Sequence, residues 1–225
     1  MKHDSFNESA EMYLKTIREL SLDNEPVAIS ALARRLEVST VSATEMVHRL
    51  EEHDLVAHIP YKGVQLTDDG CHHAADIIRS HRLWERFLVD KLGIAWDQAH
   101  DVACRLEHAT DDTVTEALDV FLGRPATCPH GNPIPQAGDI WKTAVTTTLN
   151  DLQEGQSGHI FRIHPESALL LKYLAEHGVK PGRSVCVKEI APFNGPIIVE
   201  IDDETHALGQ EVAAHIFVQP NGETS

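Results

Sequence analysis

The sequence predicts a mainly α-helical protein with small β parts: a winged helix-turn-helix, then a helical segment suited to dimerisation, then a small β-barrel. Three observations carry this. A helical apolar period runs from residue 8 to about 122, cut into pieces by turn signals. Two short apolar runs, 55–59 and 64–66, flank Pro60-Tyr61-Lys62-Gly63 as strands flank a turn. After a Pro- and Gly-rich stretch the pattern changes to four strand-like runs.

Residues 8–22 place Tyr13, Leu14, Ile17 and Leu20 on one face of a first helix, which Asp23-Asn24-Glu25-Pro26 ends. A short helix follows through Ala31–Leu36, with Ser30 as its expected N-cap. Val38-Ser39-Thr40 makes a tight turn. The next helix, near Val41 to His53, buries Ala43, Met46, Val47 and Leu50. Two short helices, a brief turn and a second helix with a small, hydroxylated first turn form the helix-turn-helix pattern. Ser39, Thr40, Ser42 and Thr44 allow close approach to a phosphate backbone, and Arg49 and Lys62 are expected phosphate contacts. Glu45 can accept from a cytosine amino group. The strand pair around 60–63 is then a wing with Lys62 at its tip. These features favour double-stranded DNA as partner over a helical module that binds protein.

A long helix is expected from Asp68 to about Leu92, with Gly93 as its C′ residue. Another opens at Trp96-Asp97-Gln98, and a third spans Asp112 to Leu122. These short amphipathic helices have more apolar face than a winged helix can cover, which predicts a symmetric homodimer matching a palindromic operator. Gly123 to about Val145 reads as a linker; Cys128-Pro129-His130 within it could bind metal, but a flexible linker segment is the favoured reading. Strands are expected at 159–163, 184–188, 197–201 and 215–218, with a helix over 166–177. The domain boundaries are 1–70 for the DNA-binding domain, 71–135 for the helical domain, 136–150 for the linker and 151–225 for the β domain.

Chemistry concentrates in His100-Asp-Val-Ala-Cys104-Arg-Leu-Glu107-His108. Positions i, i+4, i+7 and i+8 fall within an arc of roughly 100° on a helix, so one face carries two imidazoles, a thiolate and a carboxylate. His81 and Glu85 repeat the i, i+4 spacing one helix earlier. A single such residue is ordinary surface; this many together point to metal.

The bulk properties set limits. A net charge of −16 argues against non-specific nucleic-acid binding, leaves room for a local patch, and suits a protein that attracts divalent cations. No apolar run approaches the ~20 residues of a membrane span, and the start of the chain has no signal-peptide core, so a cytoplasmic location is expected. Four cysteines without a CxxC pair read as thiols.

Four segments carry a resemblance: Glu11–Ile17, Ser80–Arg86, His100–His108 and His130–Pro135. Their order and spacing resemble the diphtheria toxin repressor family of metal-dependent transcriptional regulators, over residues 8–135. The resemblance implies a primary, activating site of Met12, Cys104, Glu107 and His108, and an ancillary site of His81, Glu85 and His100. Glu166 is the C-terminal residue nearest the place where the family adds further ancillary ligands. It implies an SH3-like C-terminal domain, as in ferrous-transport accessory proteins, and a repressor acting on operators of metal-uptake genes. A thioether, thiolate, carboxylate and imidazole suit Fe²⁺ better than Mn²⁺, which prefers oxygen, with Co²⁺, Ni²⁺ or Zn²⁺ able to substitute in vitro. Manganese regulators of the family place carboxylates at the two sulfur positions. No nucleophile or general base is evident outside the ligands, so no enzyme is expected. The competing classes are a metalloenzyme and a metal-buffering protein.

Overall fold

The structure, a computed structural model, describes residues 8–21, 25–136 and 147–221. The chain forms two compact units, one of Met1–His81, Glu107–Thr115 and Pro135–Thr143, the other of Arg82–Leu106, Glu116–Ile134 and Ala144–Ser225.

In the first unit, helices α1 (Glu8–Leu20), α2 (Ile29–Arg35) and α3 (Thr40–Glu52) pack on a hairpin of β1 (Val56–Ile59) and β2 (Gly63–Leu66). Their apolar stripes meet in one core around Leu14, Ile17, Leu32, Ala43, Leu50 and Val64. Ala43, Met46, Val47 and Leu50 are all buried, so the i, i+3, i+4, i+7 spacing identified the inner face of α3. Val27 pairs with Val64 from the edge of the hairpin, Val27 N–H donating to the Val64 carbonyl at 2.7 Å. Gly63 is required there: its φ is +124°, and a Cβ would stand 2.0 Å from the Val27 carbonyl oxygen.

Ser30 is not the cap of α2. That position is Ala28, with no side-chain cap, because the helix begins one residue before the serine. The cap that forms is Ser39 on α3, whose hydroxyl accepts from Ser42 N–H at 3.0 Å. Ser39→Ala is expected to cost about 1 kcal/mol of stability, read as a lower denaturation midpoint with unchanged slope. An unchanged midpoint would mean that water caps the helix equally well.

Helix α4 (Asp68–Asp90) opens with two aspartates in its first turn, suiting the positive end of a helix. Helices α5 (Ala99–Glu107) and α6 (Asp112–Phe121) follow. In the second unit, Leu83, Leu118 and Ile134 form one small cluster and Leu88, Ala99 and Ala103 another.

The rest of that unit is an antiparallel five-stranded sheet in the order β6-β5-β4-β3-β7. Its strands are β3 (Ser157–Ile163), β4 (Ser184–Ile190), β5 (Ile197–Ile201), β6 (Glu204–Leu208) and β7 (Ile216–Pro220). Helix α7 (Ala168–Glu176) covers it with Leu171 and Leu174, and a short α8 (Gln210–Ala213) precedes β7. Alternation along β5 buries Ile197, Val199 and Ile201. Strand β6 and α8 were not expected from sequence.

The linker expectation divides in two. Residues 126–134 form an ordered turn, with Cys128, His130 and Asn132 buried. The part from 137 to 146 lies outside the described residues.

Candidate metal centre

The buried turn places candidate donors in a stretch whose Pro- and Gly-rich composition favoured a flexible linker. Gly131 N–H donates to the Cys128 carbonyl at 2.9 Å and Cys128 N–H to the Asn132 carbonyl at 2.8 Å. Gly131 sits at φ +84°, a conformation glycine adopts without strain. Ile163 N–H of β3 donates to the His130 carbonyl at 2.9 Å, and the Asn132 amide donates to the Ile163 carbonyl at 2.7 Å. The turn is thus hydrogen-bonded to the end of β3, three residues before Glu166.

This brings together Glu85 of α4, Cys128 and His130 of the turn, and Glu166 from the segment before α7. One ligand atom of each lies within 4.8 Å of the others, and all four residues are buried. Two ligands of one ion, each ~2.3 Å from it, are at most ~4.6 Å apart, so the group is close to the spacing of a single coordination sphere. His130 Nδ1 is 3.3 Å from Glu85 Oε1 and 3.5 Å from a Glu166 oxygen. Cys128 Sγ is 3.5 Å from Glu166 Oε1. His130 Nε2 lies 3.0 Å from the Trp96 carbonyl. A carbonyl only accepts, so Nε2 carries the proton and Nδ1 is the atom left for a metal. His100 Nδ1 is 3.1 Å from Glu85 Oε1, and its Nε2 is 3.9 Å from Cys104 Sγ.

The electrostatics ask for a cation. Burial, reinforced by Glu85 and Glu166, pushes the Cys128 thiol up to about 12. Burial disfavours charge on His130, yet Glu85 and its hydrogen bonds outweigh this and hold its pKa well above the usual imidazole value. Burial and the Glu85 charge both raise Glu166, but His130 and Arg82 prevail and hold its carboxyl well below the ordinary range. Two buried carboxylates, Glu85 and Glu166, face the His130 and His100 imidazoles, and the Arg82 charge also acts on Glu166. A divalent ion would neutralise them and convert the thiol to a thiolate ligand. The donor set fits a metal.

A second cluster lies in the first unit. Glu107, its side chain fully buried, receives Lys15 Nζ on both oxygens, at 3.0 and 2.8 Å. The His81 Nδ1 also lies against this carboxylate. Burial would raise Glu107, but the His81 and Lys15 charges lower it overall. His108 Nδ1 is 2.5 Å from Glu11 Oε2, and its Nε2 is 3.4 Å from Glu107 Oε1. A carboxylate fixing Nδ1–H leaves Nε2 as the ligand atom. Met12, on α1, is half-buried, as is Cys104 on α5. Within the first unit His81 lies against Glu107, which also faces His108, and within the second Glu85 and His100 lie near Glu166. Glu166, the weakest candidate in sequence, is nearly solvent-free.

The residues expected to contact DNA lie on the first unit. Ser39, Thr40, Ser42, Glu45 and Arg49 are exposed on or beside α3, and Thr44 is half-buried, its hydroxyl donating to the Thr40 carbonyl at 2.7 Å. Lys62 is exposed on the wing beside the fully exposed Tyr61.

Family models match nearly the whole chain: the N-terminal DNA-binding domain of iron-dependent repressors over 5–64, their metal-binding and dimerisation domain over 67–136, and the FeoA domain over 147–220. The iron-dependent repressor IdeR of Mycobacterium leprae is 32% identical over 224 residues, covering 94% of this chain and 97% of the relative. The chain belongs to the diphtheria toxin repressor family of metal-dependent transcriptional repressors. Solved structures of the family superpose over most of its length. A manganese-dependent transcriptional repressor in complex with manganese is 36% identical, with a TM-score of 0.82 over 94% of this chain and 100% of that one. ScaR with bound Zn²⁺ is 32% identical, with a TM-score of 0.82 over 93% and 98%. Among the described residues no helix is long and apolar enough to cross a membrane.

Proposed function

We propose that this family member is an iron-responsive repressor, a homodimer that binds palindromic operators of metal-uptake genes when loaded with two Fe²⁺ per protomer. The observation that supports it most directly is the buried Glu85–Cys128–His130–Glu166 tetrad, a mixed oxygen, nitrogen and sulfur donor set inside the protein. In this reading Met12, Cys104, Glu107 and His108 hold the activating ion, and His81, Glu85, His100 and Glu166 serve the ancillary one beside Cys128 and His130. The ion's contribution is positive charge and a link between side chains of the reading-head helix α1 and of α5. Its hold on α1 orients α3 so that two copies reach successive major grooves ~34 Å apart. Moving such an equilibrium from 1:99 to 99:1 requires ~5.5 kcal/mol of differential affinity.

Val114, Val120 and Phe121 of α6 are exposed at 46%, 56% and 62%, an apolar set that a second copy would cover. Phosphates would be met by Arg49, Lys62 and the N–H groups at the start of α3. Glu45 would select cytosine in the major groove.

Manganese is the second reading, favoured by the 36% identity to a manganese-dependent repressor over 94% of the chain. Fluorescence anisotropy with a palindromic fragment from a metal-uptake promoter separates the readings, under anaerobic conditions with Fe²⁺, Mn²⁺ or chelator. Binding with Fe²⁺ at a concentration where Mn²⁺ gives none is the expected result. Equal activation by Mn²⁺ at lower concentration would replace iron by manganese, and binding in chelator would end the metal-switch reading. Met12→Asp with Cys104→Asp is expected to shift activation toward Mn²⁺ by about tenfold, because oxygen replaces both sulfurs. An unchanged Fe²⁺/Mn²⁺ ratio would show that the sulfurs do not select the ion.

A further inference from the structure

Lys15 is out of place for a lysine. It sits on α1 one helical turn after Met12, on the same face, and is 3% exposed. Lysine is almost never this buried unless paired, and its partner is the proposed ligand Glu107, gripped on both oxygens at 3.0 and 2.8 Å. The same carboxylate faces His81 and His108. Around Glu107, then, the first unit already supplies a positive group where a divalent cation is proposed to sit. Elsewhere in this cluster the partner of a proposed ligand is an anion: Glu11 supports His108 and leaves its Nε2 facing the carboxylate.

The geometry points to Lys15 as the residue that sets the metal affinity of the activating site, its ammonium holding Glu107 in the metal-free protein and opposing a divalent cation there. The inference rests on Glu107 being a metal ligand. Two opposite effects follow from one side chain. In the metal-free protein the pair neutralises a buried carboxylate and supports the packing of α1. With a cation bound, the ammonium is a like charge close to it in a site of low dielectric, where repulsion is strong. Lys15 thereby keeps the site from filling at low metal concentration. Its i, i+3 spacing from Met12 puts thioether and ammonium on one face of α1, the first drawing the ion and the second resisting it. A lysine present only for packing has no such split: its loss lowers stability and metal affinity together.

The test uses the full-length protein and Co²⁺, which is stable in air, titrated by calorimetry, with thermal unfolding followed in chelator. Lys15→Met is expected to bind one Co²⁺ per chain about tenfold more tightly and to unfold at a lower temperature in chelator. Lys15→Arg keeps the charge and should stay within about threefold of the parent affinity. Lys15→Gln keeps length and a polar end, and serves if the methionine variant does not fold. Unchanged or weaker binding in both neutral variants overturns the inference. A parallel Glu107→Gln variant separates the two ideas. If it loses one Co²⁺ per chain while the neutral Lys15 variants bind no tighter, the ligand reading stands and the role of Lys15 falls. If it binds Co²⁺ as the parent does, Glu107 is no ligand and the role of Lys15 falls with it.

Discussion

Glu166→Ala is expected to cost the metal-free protein about 3–5 kcal/mol, the range for breaking a buried charge pair from one side, and to remove one of two bound metal ions per chain. Glu166 is buried, and one of its oxygens receives the Asn132 amide at 2.5 Å and the Cys128 thiol at 3.5 Å. His130 Nδ1 is 3.5 Å away and His100 Nδ1 is 3.9 Å away. Removing the carboxylate leaves Asn132 without that acceptor, and leaves a buried, favourably protonated His130 facing Glu85 alone. A neutral amide at the same position, Glu166→Gln, keeps the volume and an acceptor oxygen, so it should lose less stability while still losing the ion. The two losses are read separately, by urea denaturation in chelator and by metal stoichiometry after dialysis. If Glu166→Gln retains two ions per chain, the tetrad is a structural network and not a metal centre.

How far the chain could be read from its letters differs by region, for physical reasons. Helix α3 was legible because its neighbours in sequence are its neighbours in space: Ala43, Met46, Val47 and Leu50 repeat at helical spacing, and Ser39 caps the first turn. The clustering of metal-competent side chains on α4 and on α5 was legible for the same reason. The burial of Cys128 and His130 was not legible, and metal binding there ranked below a flexible linker, since Pro and Gly also mark flexible chain. What makes this turn rigid is its bonding to Ile163 and Glu166, more than thirty positions onward. A Cys-x-His spacing followed by Gly-Asn was the available signal. Strand β6 was missed because Glu204-Thr-His-Ala-Leu208 shows little apolar alternation, being mostly exposed. It pairs with β5 alone at the edge of the sheet. Its turn is a two-residue hairpin at Asp202 and Asp203, with φ of 49° and 67°, a conformation that aspartate tolerates. The helical period also could not show that Lys15, polar in letter, is buried, because that depends on Glu107 ninety-two residues away.

Gly131→Ala should disturb the proposed Glu85–Cys128–His130–Glu166 metal centre without replacing any of its four donors. At Gly131 a Cβ would stand 1.8 Å from the Phe161 carbonyl oxygen and 2.8 Å from its carbon. Those are backbone atoms of β3 at the irregularity between Ile160 and Arg162, both of which pair with β7, so the chain on either side of Phe161 is held in the sheet. The φ of +84° adds strain for any residue bearing a Cβ. Relief requires the turn to withdraw from β3, which breaks the Ile163 N–H bond to the His130 carbonyl and the Asn132 bond to the Ile163 carbonyl. Strain and overpacking together set the expected cost at about 3 kcal/mol or more. His130 and Cys128 move with the turn, whereas Glu85 and Glu166 are fixed by other elements, so the four donors no longer converge on one point. The variant is therefore expected to bind its second ion at least about tenfold more weakly, the scale for disrupting groups that orient metal ligands. Gly93 is the matched control, also at positive φ but with nothing within 4 Å of its Cβ. Gly93→Ala carries the backbone strain alone and should leave both ions bound. Equal metal loss in the two variants would show that positive-φ strain, and not the contact with β3, is what the turn resists.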